Sequence, residues 1–135
     1  MHQIGKNTKK LNNVLIEYKN VNINQMSQQV LRNVTLNIDK GEFIYITGKV
    51  GSGKSSFIKT LYGELAIEEG EAYVMEYDML KIKPKHIPQL RRKIGIIFQD
   101  FQLLTDRCVE DNLRFVLKAT GWTDKNEVDN RIREV

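Results

Sequence analysis

The amino-acid sequence predicts an α/β fold in which a buried strand leads through a glycine-rich loop into a helix. The strand is predicted from residues 43–47, FIYIT, a continuous apolar run typical of strands covered on both faces. Three glycines follow closely, at Gly48, Gly51 and Gly53. Apolar residues at helical spacing, without proline, then predict a helix over residues 55–65. The order strand, glycine loop, helix is the core of the predicted fold.

Two further strands are predicted before this unit. Residues 14–18 and 30–38 are rich in β-branched residues and partly alternate apolar with polar side chains. The polar segment between them, residues 22–29, predicts a turn. We therefore expect an N-terminal antiparallel β subdomain, preceded by a polar tail at residues 1–12.

The remainder of the chain predicts mixed structure. Residues 71–77 predict another strand, and residues 94–98, IGIIF, predict a second short buried strand. Residues 109–120 place their apolar side chains on one helical face. Asp124, with Glu127 three residues later, has the spacing of an N-cap and its partner and predicts the start of a last helix.

Composition limits the class of protein. The chain has 135 residues, 41% apolar and 28% charged, which predicts one modest soluble domain rather than a disordered segment. Its apolar runs fall far short of the roughly 20 residues that cross a bilayer, and residues 1–10 do not resemble a secretion signal. Cys108 is the only cysteine, so an internal disulfide is excluded. We expect a cytoplasmic location.

The net charge of +4 is unevenly distributed, because residues 81–93 hold six basic residues and no acidic one. Clustered Lys and Arg attract phosphate groups of nucleic acids or anionic lipids. No aromatic residue stands between these charges, so the stacking pattern of a single-strand binder is missing. A solvated surface is the favoured interpretation, and no specific nucleic-acid partner is expected.

The glycine-rich loop matches the pattern G-x-x-x-x-G-K-[ST] of phosphate-binding loops, or P-loops. Its glycines let several backbone N–H groups point inward around a phosphate, and the positive end of the following helix adds to the attraction. Lys54 is predicted to reach the β and γ phosphates of ATP, Ser55 to coordinate magnesium and Ser56 to contact the α phosphate. The residues predicted to bind the nucleotide are Gly48, Lys49, Val50, Gly51, Ser52, Gly53, Lys54, Ser55 and Ser56.

With residues 96–104, IIFQDFQLL, this loop makes the chain resemble the ATP-binding subunits of ABC transporters. Gln99, which lies 45 residues after Lys54, fits the position of the Q-loop glutamine of that family. More narrowly, residues 98–107 and 111–113 resemble the FtsE family of bacterial cell-division ATP-binding proteins.

The resemblance implies a second part of the site and a set of partners. In the family the Q-loop glutamine contacts magnesium and the attacking water, so Gln99 is expected to bind both metal and nucleotide. Its loop lies where the membrane subunit docks, which implies an integral, FtsX-like membrane partner. A homodimer closed through the ATP site and a peripheral position on the inner face of the plasma membrane are also implied.

The same resemblance implies that residues 1–135 are the N-terminal part of one ABC-type domain, a truncated P-loop NTPase. In the family the signature motif, the Walker B aspartate with the catalytic glutamate, and the switch histidine follow the Q-loop. None occurs in the 36 residues after Gln99. No catalytic residue is therefore assigned, and we expect no hydrolysis at the family's rate by this chain alone. Strand edges beside the loop should lack partners, which favours marginal stability or aggregation.

The chain departs from the family at the position whose side chain stacks on the adenine base of ATP. The family carries an aromatic residue in its early sheet that stacks on adenine, and the matching position here is Asn24, or Gln25 if counted from the preceding strand. Tyr18 lies nearby, but within an alternating strand it is expected to be a packing residue. Stacking on a base contributes on the order of 1–3 kcal/mol, so weaker base recognition is expected.

Alternatives from other classes remain. The ATP-binding subunit of a related lipoprotein-export or small-molecule ABC transporter would share the same motifs, and a noncatalytic ATP-binding interaction module is compatible with the missing ones. A P-loop GTPase is disfavoured because no Asn-Lys-x-Asp motif for guanine occurs. A small-molecule kinase is disfavoured because it would not be expected to resemble the ABC family around Gln99.

Overall fold

The computed structural model describes residues 13–100 and 102–135, so the polar tail expected at residues 1–12 lies outside the described residues. The chain forms two compact units, the first ending at Arg91 and the second beginning at Arg92. The first unit contains the sheet and the glycine-rich loop, and the second unit contains two helices.

The sheet of the first unit is antiparallel and has four strands in the order β2-β1-β3-β4. Its strands are β1 (Val14–Gln25), β2 (Gln28–Asp39), β3 (Glu69–Val74) and β4 (Tyr77–Asp78). The predicted N-terminal antiparallel subdomain is thereby confirmed, and β1 and β2 are longer than the predicted strands.

The turn between β1 and β2 is shorter than predicted. Only Met26 and Ser27 separate the strands, with φ of 49° and 62°, and both lie in the left-handed region. Two-residue hairpin turns need such angles because their twist matches that of the strands, and Asn-Gly usually supplies them. The polar segment 22–29 was therefore wrongly predicted to be a turn, since most of it is paired strand.

Four α-helices and one short 3-10 helix, Pro84–His86, complete the described elements. The α-helices are α1 (Lys54–Leu61) and α2 (Ile87–Arg91) in the first unit, and α3 (Val109–Ala119) and α4 (Lys125–Glu134) in the second. The cap predicted for the last helix is confirmed, because the Asp124 carboxylate accepts a hydrogen bond from the Glu127 backbone N–H at 2.9 Å. None of these helices has both the length and the apolar character to cross a membrane.

The core of the first unit lies between β1 and α1. Tyr18 is fully buried, packs edge-on against Phe57 with ring centroids 5.5 Å apart, and its hydroxyl lies 2.9 Å from the Thr60 hydroxyl. Val21 and Ile23 of β1 are also fully buried. Tyr18 is thus a packing residue, as predicted, and it fixes α1 to the face of the sheet.

The two predicted buried strands at residues 43–47 and 94–98 are not found. Neither segment is assigned as a strand, and Phe43, Tyr45 and Ile97 are 79%, 80% and 95% exposed. A strand must pair its N–H and C=O groups with a neighbour, and within the described residues no strand pairs with either segment. The prediction rested on the apolar composition of these two segments, and it assumed that neighbouring strands would pair with them and cover them.

Candidate functional site

The glycine-rich loop, residues 48–53, leads directly into α1, and Gly53 occupies the N-cap position. Gly53 has φ +88° and is buried, and a Cβ at this position would lie 2.8 Å from side-chain atoms of both Val30 and Leu31. Both its backbone conformation and the close approach of β2 therefore require glycine. This packing sets the direction in which α1 leaves the loop.

The start of α1 presents unpaired backbone donors. The first backbone bond into the helix runs from the Phe57 N–H to the Gly53 carbonyl at 2.9 Å. In the described chain no group accepts a hydrogen bond from the backbone N–H of Lys54, Ser55 or Ser56, and the first turn carries no acidic side chain. These three N–H groups and the helix dipole make this end attractive to an anion.

Lys54 lies folded over the loop. Its ammonium group donates to the backbone carbonyls of Gly48 and Lys49, both at 2.8 Å. An ammonium group has three donors, so one remains for another acceptor. Across residues 13–100 and 102–135, Lys54 has no carboxylate partner. The positive charge is therefore held at the loop without being neutralised.

The two serines that follow differ in their surroundings. Ser55 is exposed, and its hydroxyl bonds to none of the described residues. Ser56 is 6% exposed, and its hydroxyl donates to the side-chain carbonyl of Gln25 at 2.7 Å. The last residue of β1 thus contacts the first turn of α1.

The two candidates for the position of the family's adenine-stacking aromatic, Asn24 and Gln25, make different contacts. Asn24 donates its side-chain amide to Glu68 at 3.2 Å, whereas Gln25 accepts from Ser56. The choice between them as the aromatic's counterpart stays open. The contact of Gln25 with α1 agrees with the alternation of side chains along a strand, because Gln25 follows the fully buried Ile23 by two residues.

Gln99 belongs to the second unit, where it is exposed directly after residues 94–98. The basic residues 81–93 are partly engaged in the first unit. Lys81 pairs with Asp78 at 3.0 Å, and the Arg91 guanidinium donates to the Tyr62 carbonyl at 2.9 Å. Part of this basic stretch is therefore structural, and the prediction of a solvated surface without a nucleic-acid partner stays a prediction.

Carboxylate, imidazole and thiol groups do not converge on a metal site anywhere in the described ranges 13–100 and 102–135. A metal at the loop would have to share its coordination between a serine hydroxyl, water and oxygen atoms of a bound anion. That arrangement is the one magnesium adopts with nucleotide phosphates, since Mg²⁺ keeps several waters and takes few protein ligands.

Comparison with known proteins agrees with this fold. The family model described as ABC transporter matches residues 31–135, and the chain belongs to this family. The dimeric, post-hydrolysis ATP-binding cassette MJ0796 bound to ADP and Pi superposes with a TM-score of 0.75 and 31% identity. The match covers 88% of this chain and 54% of MJ0796. The predicted fold class and family resemblance are thereby confirmed.

Two kinds of curated relatives are similar to this chain. The cell division ATP-binding protein FtsE of Streptococcus pneumoniae serotype 2, strain D39, is 40% identical over 105 residues, which cover 78% of this chain and 45% of FtsE. The methionine import ATP-binding protein MetN of Helicobacter pylori, strain 26695, is 34% identical over 123 residues, which cover 90% of this chain and 37% of MetN. The chain spans less than half the length of either relative.

Proposed function

We propose that this chain binds ATP together with magnesium through its glycine-rich loop, as the ATP-binding part of an ABC-type complex. The observation that carries the proposal is the start of α1, where, within residues 13–100 and 102–135, three backbone N–H groups lack partners and no carboxylate neutralises the Lys54 ammonium. An anion with several oxygen atoms would satisfy these donors. The triphosphate of a nucleotide has the required negative charge and several oxygen atoms that can accept these bonds.

The roles of the loop residues follow from their positions. The N–H groups at the start of α1 would hold phosphate oxygens, and Lys54 would exchange its loop carbonyls for the β and γ phosphates. The Ser55 hydroxyl would contribute to magnesium coordination, with Gln99 proposed as a further contact from its Q-loop position. The proposed set is Gly48, Lys49, Val50, Gly51, Ser52, Gly53, Lys54, Ser55, Ser56 and Gln99.

We propose that these residues bind and orient the triphosphate but do not complete its hydrolysis. Phosphoryl transfer to water also needs a group that positions the attacking water, and charge stabilisation on the side opposite the loop. The chain is proposed to be the N-terminal part of one ABC-type domain, residues 1–135. Its motifs for phosphate binding are present, and no residue is assigned the role of general base.

We further propose that the complete assembly is FtsE-like and acts in bacterial cell division with an FtsX-like membrane protein near Gln99. The 40% identity to FtsE supports this assignment. The similarity to MetN over 90% of this chain supports a second candidate, the ATP-binding subunit of a small-molecule importer. In either case we propose a homodimer closed through the ATP site at the inner face of the membrane, in line with the dimeric cassette MJ0796.

Replacing Lys54 by Ala tests the proposal. We expect ATP to bind about 10- to 150-fold more weakly in titration calorimetry, because a charged hydrogen-bonding partner of the phosphates is lost. Lys40→Ala is the matched control, since Lys40 has the same charge, is exposed outside the loop and makes no side-chain bond to the described residues. Equal ATP affinity of Lys54→Ala and the unmodified chain would refute the site.

A further inference from the structure

We infer that a hollow in the second unit, between the end of α3 and the start of α4, binds a phosphate monoester that carries a flat apolar group. The hollow has a volume of about 510 Å³, within the range of roughly 300–1,000 Å³ that is usual for small-molecule sites. It is lined by Arg114, Lys118, Trp122, Thr123, Lys125 and Val128. Three of these six residues are cationic and none is acidic. The inference does not depend on the nucleotide site proposed for the first unit.

The unneutralised charge of the hollow comes from two lysines. The Arg114 guanidinium already has partners, because it donates to the carboxylates of Glu110 and Asp129, both at 2.6 Å. In the part of the chain that the structure describes, by contrast, no carboxylate forms an ion pair with Lys118 or Lys125. Two such ammonium groups match a phosphate monoester, whose charge near pH 7 is about −1.5 to −2. A carboxylate would neutralise only one of them.

Further hydrogen-bond donors lie at the same corner. The helix α4 begins at Lys125, and among the described residues its first two backbone N–H groups have no acceptor. The Thr123 hydroxyl and the Trp122 indole N–H also donate to no described residue. Asp124, the acidic residue between them in sequence, is engaged as the cap of α4. The hollow therefore offers several donors to an anion with several oxygen atoms.

Trp122 gives the hollow a flat apolar wall. Its side chain is 38% exposed, and Val128 beside it in the lining is 2% exposed. An aromatic ring on the ligand can pack against the indole, whereas inorganic phosphate would leave this surface in contact with water. The favoured ligand is therefore a phosphate with an apolar substituent, from a soluble compound or from the headgroup of a phospholipid.

Titration of the full chain with phenyl phosphate tests the inference. Trp122 is the only tryptophan, so its fluorescence reports on this hollow. The Lys54→Ala background keeps the glycine-rich loop from competing for the phosphate. We expect a saturable change with a Kd on the order of 1 mM or tighter, as the size of the ligand allows. Inorganic phosphate should bind about two- to tenfold more weakly, because it has no ring to pack against the indole.

Replacing both lysines tests the charge. Lys118→Gln combined with Lys125→Gln should weaken the binding of phenyl phosphate about fivefold or more, because one exposed ion pair contributes up to about fivefold. Lys85→Gln is the matched control, since Lys85 is exposed, has no side-chain partner among the described residues and lies in the first unit. It should leave the affinity unchanged.

Vesicles identify the source of the phosphate. Phosphatidylcholine vesicles with phosphatidic acid present a phosphate monoester on a membrane. A shift in Trp122 emission that requires phosphatidic acid and both lysines supports a lipid ligand, and binding of phenyl phosphate alone supports a soluble one. The inference is overturned if neither these vesicles nor phenyl phosphate at about 10 mM changes the emission. It is also overturned if the double lysine variant, shown folded by circular dichroism, binds as tightly as Lys85→Gln.

Discussion

At the scale of single residues, the direction of α1 depends on one glycine. Gly53 combines a left-handed φ of +88° with side-chain atoms of β2 at 2.8 Å from the position of a Cβ. Gly51 has a similar φ of +78°, but no atom lies within 4 Å of its Cβ position. A side chain at Gly51 would therefore cause backbone strain alone, whereas a side chain at Gly53 would also collide with β2.

We expect Gly53→Ala to lower the free energy of unfolding by about 2–5 kcal/mol, from backbone strain and overpacking against Val30 and Leu31. Gly51→Ala carries only the backbone strain and should cost about 1–2 kcal/mol. Urea denaturation of both variants measures the difference. Equal losses would mean that contact with β2 does not constrain Gly53.

At the scale of elements, the contact between β1 and α1 is a buried hydrogen-bonded pair. The Thr60 hydroxyl donates to the Phe57 carbonyl at 2.6 Å, so the Tyr18 hydroxyl donates to Thr60. Burial raises the pKa of Tyr18 to about 12. Because the folded state keeps this proton more tightly, the stability from neutral Tyr18 is complete below about pH 10 and is lost as the pH rises to about 12.

Replacing Tyr18 by Phe tests this coupling. At pH 8 we expect a loss of about 0.5–1.5 kcal/mol in the free energy of unfolding, because one hydrogen bond disappears while Thr60 keeps its bond to Phe57. Between pH 8 and pH 11 the variant should lose about 1 kcal/mol less than the unmodified chain. Burial also raises the pKa of Tyr62 to about 12, so some pH dependence should persist. Identical pH profiles in urea denaturation would exclude the effect of Tyr18.

Local signals predicted the elements that depend on neighbouring residues. The cap at Asp124 and the step from the glycine-rich loop into α1 are both encoded within a few positions, and both were found. Residues 43–47 and 94–98 depend on strands distant in sequence, so composition alone could not decide whether they would be paired. A turn was predicted within residues 22–29, but its two-residue length was not, because neither Met26 nor Ser27 is the Asn or Gly that usually marks such a turn, although both adopt the left-handed region.

The candidate site likewise has a part that neighbouring residues encode and a part that depends on residues distant in sequence. Its phosphate-binding part is contiguous in sequence, and the pattern ending at Lys54 and Ser55 could be recognised without a structure. Gln25 could not be assigned, because its contact with Ser56 depends on the register of β1 and on the packing of α1. A contact between residues 31 positions apart has no local sequence pattern.

At the scale of the whole molecule, the described residues expose a run of apolar side chains at residues 43–46 and a further apolar side chain at Ile97. Phe43 and Tyr45 in the first unit and Ile97 in the second are each at least 79% exposed. Single exposed apolar residues are common on proteins, but contiguous runs promote association. We therefore expect the isolated chain to self-associate.

Sedimentation velocity over a range of chain concentrations tests this expectation. Tyr45→Lys should reduce the associated fraction about twofold or more, because it places a charge within the apolar run. Met26→Lys is the control, since Met26 is 95% exposed but stands alone at the hairpin turn, and it should have little effect. A monodisperse unmodified chain at all concentrations would contradict the expectation.

The bonds from Lys54 to Gly48 and Lys49 make ligand binding an exchange reaction. If a triphosphate binds as proposed, the one free donor of the ammonium group can bond to it directly, and each further bond to phosphate displaces a backbone carbonyl now bonded at 2.8 Å. The free energy of ATP binding measured for this site would therefore be a net value. It would combine the free energy of the new bonds to phosphate with that of the bonds lost within the loop. The free loop is already ordered by its own lysine, so saturation with ATP should change the identity of the partners more than the position of the Lys54 side chain.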